Sequence, residues 1–480
     1  MTWPPRAPVV LALVAATAPG VVSPAPPRSA EAAVRLAGLG DGLALIMGGS
    51  GNPLPGPRYV DAADALYLQP HGFTGTSQPL FTPEGFYPTT GVKSLPAFVS
   101  ETQGAQMLSE TVSRQVAGGG VDATNPVVVF GYSQSSALSS LAMRELADRH
   151  VPAEDVHFVL VGDTAAPNGG LLERFDVPLG SNPSIPSLGI TFGYPTPDLY
   201  PTDVYTLEYD GFADFPQFTL NPLADLNALA GLVLEHFTYL GLEPDQIAGA
   251  IPLPTAADSL THYYLIPQDH LPLLDLVRFV PFIGNPLADL VEPDLKVLVN
   301  LGYGSITEGW SQGRADVETP FGLFPAGLDW TEVIQALLRG IPQGLIAAGK
   351  DLLDPTNYDV FATIADNPVT GPLLRAAYAV GDLTVNPATF LEDPNLQSLT
   401  AVLNALDLGS SETPPDPFAQ LLPLADVVTA LTITLPAYDT AVFLDQLQAG
   451  NLLEAIGLPI AADLALIPIA IGLGLGGLGL

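Results

Sequence analysis

The sequence predicts an α/β protein with a central, mainly parallel sheet and a mostly helical C-terminal extension. Three observations carry this prediction: short apolar runs continue without polar interruption, helical patterns stand between them, and such runs mostly vanish after about residue 318. A continuous apolar run is typical of a strand that is covered on both faces. Strands that alternate with helices favour a parallel sheet.

Six segments are predicted to be strands. They are "LALIMG" (43–48), "ALYLQ" (65–69), "VVVFG" (127–131), "HFVLVG" (157–162), "VYTLEY" (204–209) and "KVLVNLG" (296–302). Helical patterns at 100–116 and 135–149 stand between several of them. Because ligands of such sheets bind at the carboxyl ends of the strands, the residues that follow these runs are the candidates for a functional site.

The composition excludes several classes of function. Acidic residues outnumber basic ones by 50 to 15, which gives a net charge of −35 and a surface that repels phosphate backbones. Nucleic acid is therefore not an expected partner. The chain has no cysteine, so disulfides, thiolate metal sites and cysteine nucleophiles are excluded. No motif indicates a metal or another cofactor.

The chain divides into three zones. Residues 1–38 hold one early positive charge, Arg6, then an uncharged apolar run at 7–22 and small residues, which is the layout of an export signal peptide. An uncleaved N-terminal anchor is the alternative interpretation. Residues 39–318 carry the α/β pattern, and residues 319–480 form an apolar, helical region of unknown role.

The strongest chemical signal is Gly131-Tyr132-Ser133-Gln134-Ser135, between a predicted strand and a predicted helix. It is a variant of the G-x-S-x-G nucleophile elbow, in which small residues two before and two after the serine allow a tight turn. The alternative is a serine that only starts a helix. The strand–turn–helix context favours Ser133 as a nucleophile.

A serine nucleophile needs a base, and the base needs an orienting acid. The acid is expected after a strand beyond the one next to the nucleophile strand, so Asp163 comes one strand early. The segment "VYTLEYDGFADFP" offers Asp214 and, as the alternative acid, Asp210. We favour Asp214 because a Gly-x-x-Asp turn can swing its carboxylate back over the sheet edge.

Three histidines follow the acid in the chain order that this fold uses: His236, His262 and His270. His236 is the first choice, although its helical spacing with Leu232 and Leu240 would also suit a core histidine. The residues alone leave the other two histidines open.

A glycine-rich loop at 48–52 follows the first strand and contains Ser50. Such a loop can donate hydrogen bonds to an oxyanion, together with the backbone N–H of the residue after the nucleophile, Gln134. A phosphate loop is excluded because there is no Gly-Lys-Ser/Thr and no dinucleotide-binding spacing. Ser50 and Gln134 are therefore the candidate oxyanion hole.

Seven segments resemble the PE-PPE domain of mycobacteria and related actinobacteria, a cutinase-like α/β-hydrolase. They are "IMGGSGNPLP", "VVVFGYSQSS", "GGLLERF", "YPTDVYTLEYDGFADFP", "NPLADLNALAGLVLEHFTY", "PLADLVEPDLKVLVNLGYG" and "TPFGLFP", within residues 40–325. The resemblance implies an α/β-hydrolase fold and a serine esterase or lipase with a Ser-Asp-His triad. It implies Ser133 as nucleophile, an acid in "YDGFADFP" and His236 as base.

The resemblance does not extend to an N-terminal PE or PPE domain, because a signal-like segment stands in that place. We therefore expect a secreted or cell-envelope enzyme that hydrolyses acyl or lipid esters. The alternatives are an acyltransferase that esterifies trehalose-type envelope glycolipids with the same triad, and a catalytically silent envelope-binding protein. The sequence does not fix the oligomeric state.

Two further segments bear on the substrate. The Pro-, Gly- and Ser-rich insertion at 178–200 and the Leu-rich C-terminal zone could cover the elbow with apolar surface and so favour a lipid substrate. The final stretch, 459–480, has no charge after Asp463 and five glycines after residue 471. For this stretch the pattern favours peripheral lipid contact or disorder over packing onto the hydrolase or spanning a membrane.

Overall fold

The computed structural model describes residues 38–406 and 421–476. The predicted export segment, including Arg6 and the run at 7–22, lies outside the described residues. The described parts of the α/β zone and of the C-terminal zone belong to one compact unit.

Nine strands are present in the described residues. They are β1 (Leu43–Ile46), β2 (Thr76–Pro79), β3 (Val127–Tyr132), β4 (Val156–Val161), β5 (Ser184–Ile185), β6 (Ile190–Thr191), β7 (Thr202–Leu207), β8 (Ile251–Pro252) and β9 (Thr261–Ile266). Seven of them form one sheet in the order β2-β1-β3-β4-β7-β9-β8, and β5 and β6 form a separate antiparallel hairpin. All neighbours in the large sheet are parallel except β8 and β9. The predicted α/β-hydrolase fold with a mainly parallel sheet is confirmed.

The helices divide between the two zones. Those of the α/β zone are α1 (Pro57–Ala63), α2 (Ala97–Ala117), α3 (Gln134–Asp148), α4 (Leu171–Arg174), α5 (Pro222–Leu234), α6 (Pro244–Ala248), α7 (Pro272–Arg278) and α8 (Gly284–Asn300). Those of the C-terminal zone are α9 (Trp330–Asp351), α10 (Val360–Ala365), α11 (Thr370–Val380), α12 (Ala388–Leu391), α13 (Leu396–Ala405), α14 (Leu421–Thr429), α15 (Leu435–Gln448) and α16 (Leu452–Gly476).

The sheet is buried on both faces because helices cover each of them. Successive side chains of a strand point to opposite faces. On β3, Val128 and Phe130 accordingly belong to the core under α1, whereas Val127 and Val129 belong to the core under α2 and α3. This two-sided burial explains why β3 is an uninterrupted apolar run in the sequence.

Four predicted strands correspond to β1, β3, β4 and β7, but two predicted strands are wrong. Residues 65–69 belong to a π-helical turn and a short 3₁₀ turn that continue α1, and they bury Tyr67 and Leu68 against the sheet. Residues 296–302 complete α8 and the 3₁₀ turn after it. In both places buried apolar residues of a helical segment gave the appearance of a strand.

The C-terminal helices pack onto the α/β zone. The hydroxyl of Thr219 donates to the carbonyl of Ala461 at 2.9 Å, and the Tyr438 hydroxyl donates to the carbonyl of Phe175 at 3.1 Å. One apolar cluster joins Phe175 and Phe215 of the α/β zone to Ala461, Ala465 and other residues of α16. The expectation of disorder at 459–480 is wrong for the described residues, since those up to Gly476 are a helix with a packed face. Peripheral lipid contact of this stretch stays a prediction.

Two apolar segments, Leu421–Gln448 and Leu452–Gly476, have the length and composition of a membrane span. Between a quarter and a half of each segment's most apolar stretch is buried inside the fold, 28% and 44% respectively. In the second segment, α16, most of the buried residues belong to the apolar cluster that joins it to the α/β zone.

Candidate active site

Ser133 stands at a strained turn between β3 and α3. Its backbone angles are φ 59° and ψ −117°, a region that L-residues rarely adopt. The Ser133 N–H donates to the carbonyl of Val161 on the neighbouring strand β4 at 3.0 Å, which fixes the turn to the sheet. Strain of this kind persists only where the surroundings over-determine it, and it collects at functional sites. The geometry is that of a nucleophile elbow.

The small residues around Ser133 are required by close approach. A Cβ at Gly131 would lie 2.8 Å from the carbonyl oxygen of Ser135, so only glycine fits there. Ser135 is fully buried, and its hydroxyl accepts from the Tyr132 N–H at 2.7 Å. The serine that replaces the second glycine of the motif therefore fits the turn and also braces it.

His236 lies against Ser133. Its Nε2 is 2.7 Å from the Ser133 Oγ, although the two residues are 103 positions apart in the chain. The sequence pattern placed His236 within a helix, but α5 ends at Leu234 and His236 occupies the turn that follows. Gly162, with φ +58°, makes room for the ring, since a Cβ there would lie 3.1 Å from the His236 Cε1.

Asp210 holds the other side of the histidine ring. The His236 Nδ1 lies 2.8 Å from Oδ2 and 3.0 Å from Oδ1 of Asp210, which is fully buried. Oδ1 also accepts from the Phe212 N–H at 3.0 Å. Ser133, His236 and Asp210 thus form one continuous line of hydrogen-bonding contacts.

Asp214, the acid that the sequence favoured, is not in this line. The turn after β7 does swing its carboxylate back, but Oδ2 accepts from the Tyr209 backbone N–H at 3.0 Å instead of reaching the histidine. Burial raises the pKa of the Asp214 carboxyl well above its usual range, while nearby Arg174 only partly opposes this effect. The alternative acid, Asp210, is the one that the structure brings to His236.

Tyr239 is a site residue that the sequence did not single out. Its hydroxyl donates to the Asp210 Oδ2 at 2.8 Å and accepts from the Leu207 N–H at the same distance. It therefore ties the Asp210 carboxylate to the end of β7. Its position three residues after His236, in "EHFTY", gave no chemical signal because an isolated tyrosine is most often a core residue.

The two candidate oxyanion residues also meet at the elbow. The Ser50 hydroxyl donates to the Gln134 Oε1 at 3.2 Å, and the Gln134 Nε2 donates to the Gly85 carbonyl at 2.7 Å. Gln134 is the first residue of α3, where a backbone N–H has no intrahelical acceptor. This N–H is therefore available to donate toward Ser133, whereas the Gly51 and Asn52 N–H groups of the 48–52 loop already donate to the carbonyls of Glu84 and Gly49.

The other candidate residues lie elsewhere. His262 lies 3.5 Å from Asp203, and His270 lies 3.0 Å from Glu292. The Asp163 carboxylate accepts from the Thr196 hydroxyl at 2.6 Å. None of these three candidates contacts Ser133 within the residues that the structure describes.

A cavity of about 630 Å³ opens over Ser133 and His236. Its lining is mostly apolar and comes from the 48–52 loop, the start of α2, the β5–β6 hairpin, α11 and α16. The hairpin lies in the insertion at 178–200, so the predicted apolar cover does line the site. A mostly apolar cavity with a few convergent polar groups is typical of a small-molecule or lipid site.

One carboxyl group lies in this apolar lining. Glu101 of α2 is almost completely buried, and its Oε2 accepts from the Tyr194 hydroxyl at 2.9 Å. Burial raises its pKa to about 7, while the tyrosine hydrogen bond lowers it in part. The cavity thus contains a carboxyl group that changes its charge near neutral pH.

The model of the PE-PPE domain matches residues 74–304, which include Ser133, Asp210 and His236. An uncharacterized PPE family protein of Mycobacterium tuberculosis, PPE28, is 40% identical over 441 residues, which are 90% of this chain and 64% of that protein. The esterase PE16 of the same organism is 42% identical over 300 residues, which are 61% of this chain and 53% of that protein.

A third relative from M. tuberculosis is the diacyltrehalose acyltransferase Chp2. It is 30% identical over 211 residues, 42% of this chain and 57% of that protein. The chain therefore spans between about half and two thirds of the length of these curated relatives.

Proposed function

We propose that the chain, whose residues 74–304 match the model of the PE-PPE domain, is a serine esterase of acyl or lipid esters. The observation that carries the proposal is the line from the Ser133 Oγ through the two ring nitrogens of His236 to Asp210, beneath an apolar cavity. The esterase PE16 among the relatives supports the same reaction class.

In the first half of the reaction, His236 Nε2 takes the proton of the Ser133 hydroxyl while Oγ bonds to the ester carbonyl carbon. The carbonyl oxygen becomes an oxyanion, which the Gln134 N–H and the Ser50 loop stabilise. Removal of one such donor typically costs about 3 kcal/mol of transition-state stabilisation. When the tetrahedral intermediate collapses, the bond to the alcohol breaks and Nε2 returns the proton to the leaving oxygen.

In the second half, water takes the place of the alcohol. His236 removes one proton from the water as its oxygen attacks the acyl-enzyme carbonyl, and then returns a proton to the Ser133 oxygen as the acid leaves. Asp210 holds the ring in the tautomer that leaves Nε2 free and stabilises the imidazolium that forms in each half. Tyr239 positions Asp210.

A second candidate function is acyl transfer to a sugar lipid, such as a trehalose-type glycolipid. The relative named as a diacyltrehalose acyltransferase and the apolar cavity walls support it. The chemistry differs only in the nucleophile of the second half, since an acceptor hydroxyl would replace water. The apolar cavity would serve a long acyl chain in either reaction. We rank hydrolysis first because water outcompetes an acceptor by its concentration unless the site excludes it. Secretion, or attachment to the cell envelope, is proposed from the N-terminal sequence pattern.

Labelling with a fluorophosphonate probe tests the proposal directly. The wild-type chain should be labelled on Ser133, and Ser133→Ala should abolish both labelling and ester turnover. A matched control is Ser113→Ala, since the Ser113 hydroxyl only bonds the Ser109 carbonyl within α2. Labelling that persists in the Ser133 variant would contradict the assignment. A wild-type chain without labelling or turnover would instead favour a silent binding role.

The two reactions are then separated by their products. The protein is given an acyl donor with and without trehalose or an acyl-trehalose, and mass spectrometry counts free acid against new ester. We expect free acid to dominate. New ester that dominates in dilute aqueous acceptor would reverse the ranking, because only a site that discriminates against water produces it.

A further inference from the structure

Helix α16 presents a regular apolar stripe to the cavity above Ser133. The four residues that line the cavity, Leu466, Ile469, Ala470 and Leu473, stand at positions i, i+3, i+4 and i+7 of the helix. This spacing places all four on one face. The stripe is therefore a continuous wall and not a chance contact of one side chain.

Helix α11 presents a second stripe with the same spacing. Its cavity-lining residues Leu373, Ala376, Ala377 and Val380 also stand at i, i+3, i+4 and i+7. Both helices lie beyond residues 74–304, the part of the chain that matches the family model. The catalytic line belongs to the family domain, whereas two walls of its cavity are supplied from outside that domain.

Both walls are fixed to the catalytic region. The Arg375 Nε of α11 donates to the Gly241 carbonyl at 2.6 Å, just after the segment that carries His236. The helix approaches so closely that a Cβ at Gly241 would lie 1.9 Å from the Pro372 carbonyl oxygen. On the other side, the hydrogen bond from Thr219 holds α16 at Ala461. The cavity has firm walls, so its length and width are set by the side chains on them.

We infer that α11 and α16 form the acyl-chain site of this protein, and that Ala376 and Ala470 set the length of the chain that it accepts. The inference rests on the proposed esterase function and names its substrate as an ester of a medium or long unbranched acyl chain. Alanine is the smallest side chain in each stripe, and of the two alanines on α11 it is Ala376 that is buried, whereas Ala377 is partly exposed. Ala376 and Ala470 are therefore the positions where the cavity is least filled. A larger side chain at either position would occupy the space of several methylene groups.

The first test measures kcat/KM for p-nitrophenyl esters with acyl chains of 2 to 16 carbons. In the wild-type protein we expect a rise of about fourfold for each added methylene until the cavity is full, from the free energy of burying one methylene. Ala470→Phe should reduce the ratio of the 12-carbon to the 2-carbon value at least tenfold. Ala376→Phe tests the other wall in the same way and covers the case in which the first variant fails to fold.

The matched control is Ile471→Phe. Ile471 follows Ala470 on the same helix, is 41% exposed and does not line the cavity, so its variant should keep the wild-type ratio. A wild-type profile without chain-length dependence would overturn the inference. The inference would also be overturned if the ratio of the 12-carbon to the 2-carbon kcat/KM were the same in Ala470→Phe, Ala376→Phe and Ile471→Phe.

A binding experiment distinguishes this inference from the proposed function. A fluorescent long-chain fatty acid is titrated into the Ser133→Ala variant, and palmitate is used to displace it. We expect saturable binding that weakens at least tenfold when Ala470→Phe is added and is unaffected by Ile471→Phe. Binding without turnover in the wild-type protein would sink the esterase proposal and leave the acyl site standing. Turnover of short esters without fatty-acid binding would support the esterase proposal and contradict the acyl-chain site.

Discussion

The identity of the acid gives the sharpest test of the site, because two buried aspartates lie four residues apart. Asp210→Asn replaces the carboxylate that contacts the His236 Nδ1 at 2.8 Å with a neutral amide of the same shape. The ring then loses both its fixed tautomer and its counter-charge. In serine hydrolases this change costs about 10⁴ in kcat, or roughly 5 kcal/mol of transition-state stabilisation.

Asp214→Asn is the matched control, and its expected effect is small for a structural reason. Burial raises the pKa of the Asp214 carboxyl well above its usual range, which is the direction in which a neutral amide of the same shape is tolerated. An asparagine oxygen can still accept from the Tyr209 N–H, which is the hydrogen bond that Asp214 makes. We expect kcat to stay within about threefold of wild type.

The assay is the steady-state kcat on a p-nitrophenyl ester at pH 7, with thermal melting to verify that each variant is folded. A loss in Asp214→Asn as large as that in Asp210→Asn would refute the geometric argument. So would a folded Asp210→Asn variant with nearly full activity.

Three further expectations follow from the same contacts. Tyr239→Phe removes the hydroxyl that holds Asp210, so kcat should fall about tenfold with little change in KM; an unchanged kcat would contradict its positioning role. Burial raises the pKa of Glu84 to about 8. Between about pH 5 and 8 the Glu84 carboxyl stays protonated in the folded state but is ionised in the unfolded chain. The free energy of unfolding should therefore fall as pH rises through that window, by up to about 1.4 kcal/mol per pH unit. In denaturant unfolding, the free energy of unfolding of Glu84→Gln should depend less on pH than that of the wild type. The exposed Glu154→Gln should keep the wild-type pH dependence. Deletion of 452–480 should lower the melting temperature by several degrees because it uncovers the cluster around Phe175; an unchanged melting temperature would show that α16 is dispensable.

Much of the candidate site could be predicted from the sequence because its constraints are local. The elbow needs small residues at fixed offsets from Ser133, and a buried parallel strand needs a continuous apolar run, so both leave a pattern in a few adjacent positions. The order of nucleophile, acid and histidine along the chain then reduced the candidate bases to His236, His262 and His270, and the family resemblance favoured His236. The structure brings this residue to Ser133, at 2.7 Å.

The choice between Asp210 and Asp214 could not be made in the same way. It depends on the turn after β7, where Tyr209 adopts φ +67° and the Asp214 N–H returns to the Asp210 carbonyl at 2.6 Å. A positive φ at a tyrosine carries no sequence signal, since glycine or asparagine usually occupies such positions. Tyr239 escaped notice for a related reason, because its role follows from a contact across 29 residues.

The strand errors have a different physical origin. "KVLVNLG" is rich in β-branched residues, yet packing places it in α8, where Val297 and Val299 are buried. Tertiary contacts outweigh the small intrinsic preference of valine for strands. The same limit applies to α16, whose glycines argue against a helix. Within it, Gly457 and Gly474 stand where a Cβ would collide with Leu323 and Val427.

The distance along the chain between the parts of the cavity has a consequence for folding. The hydrogen bond from Thr219 to α16 closes a loop of 242 residues, and that from Tyr438 to Phe175 closes one of 263. Contacts of such high sequence separation form only after the chain has lost much of its entropy, which slows folding. The contact between Ser133 and His236, in contrast, closes a shorter loop of 103 residues. A refolding chain should therefore acquire a reactive serine before it acquires a preference for long acyl chains, and the order in which the two appear would report the docking of α16.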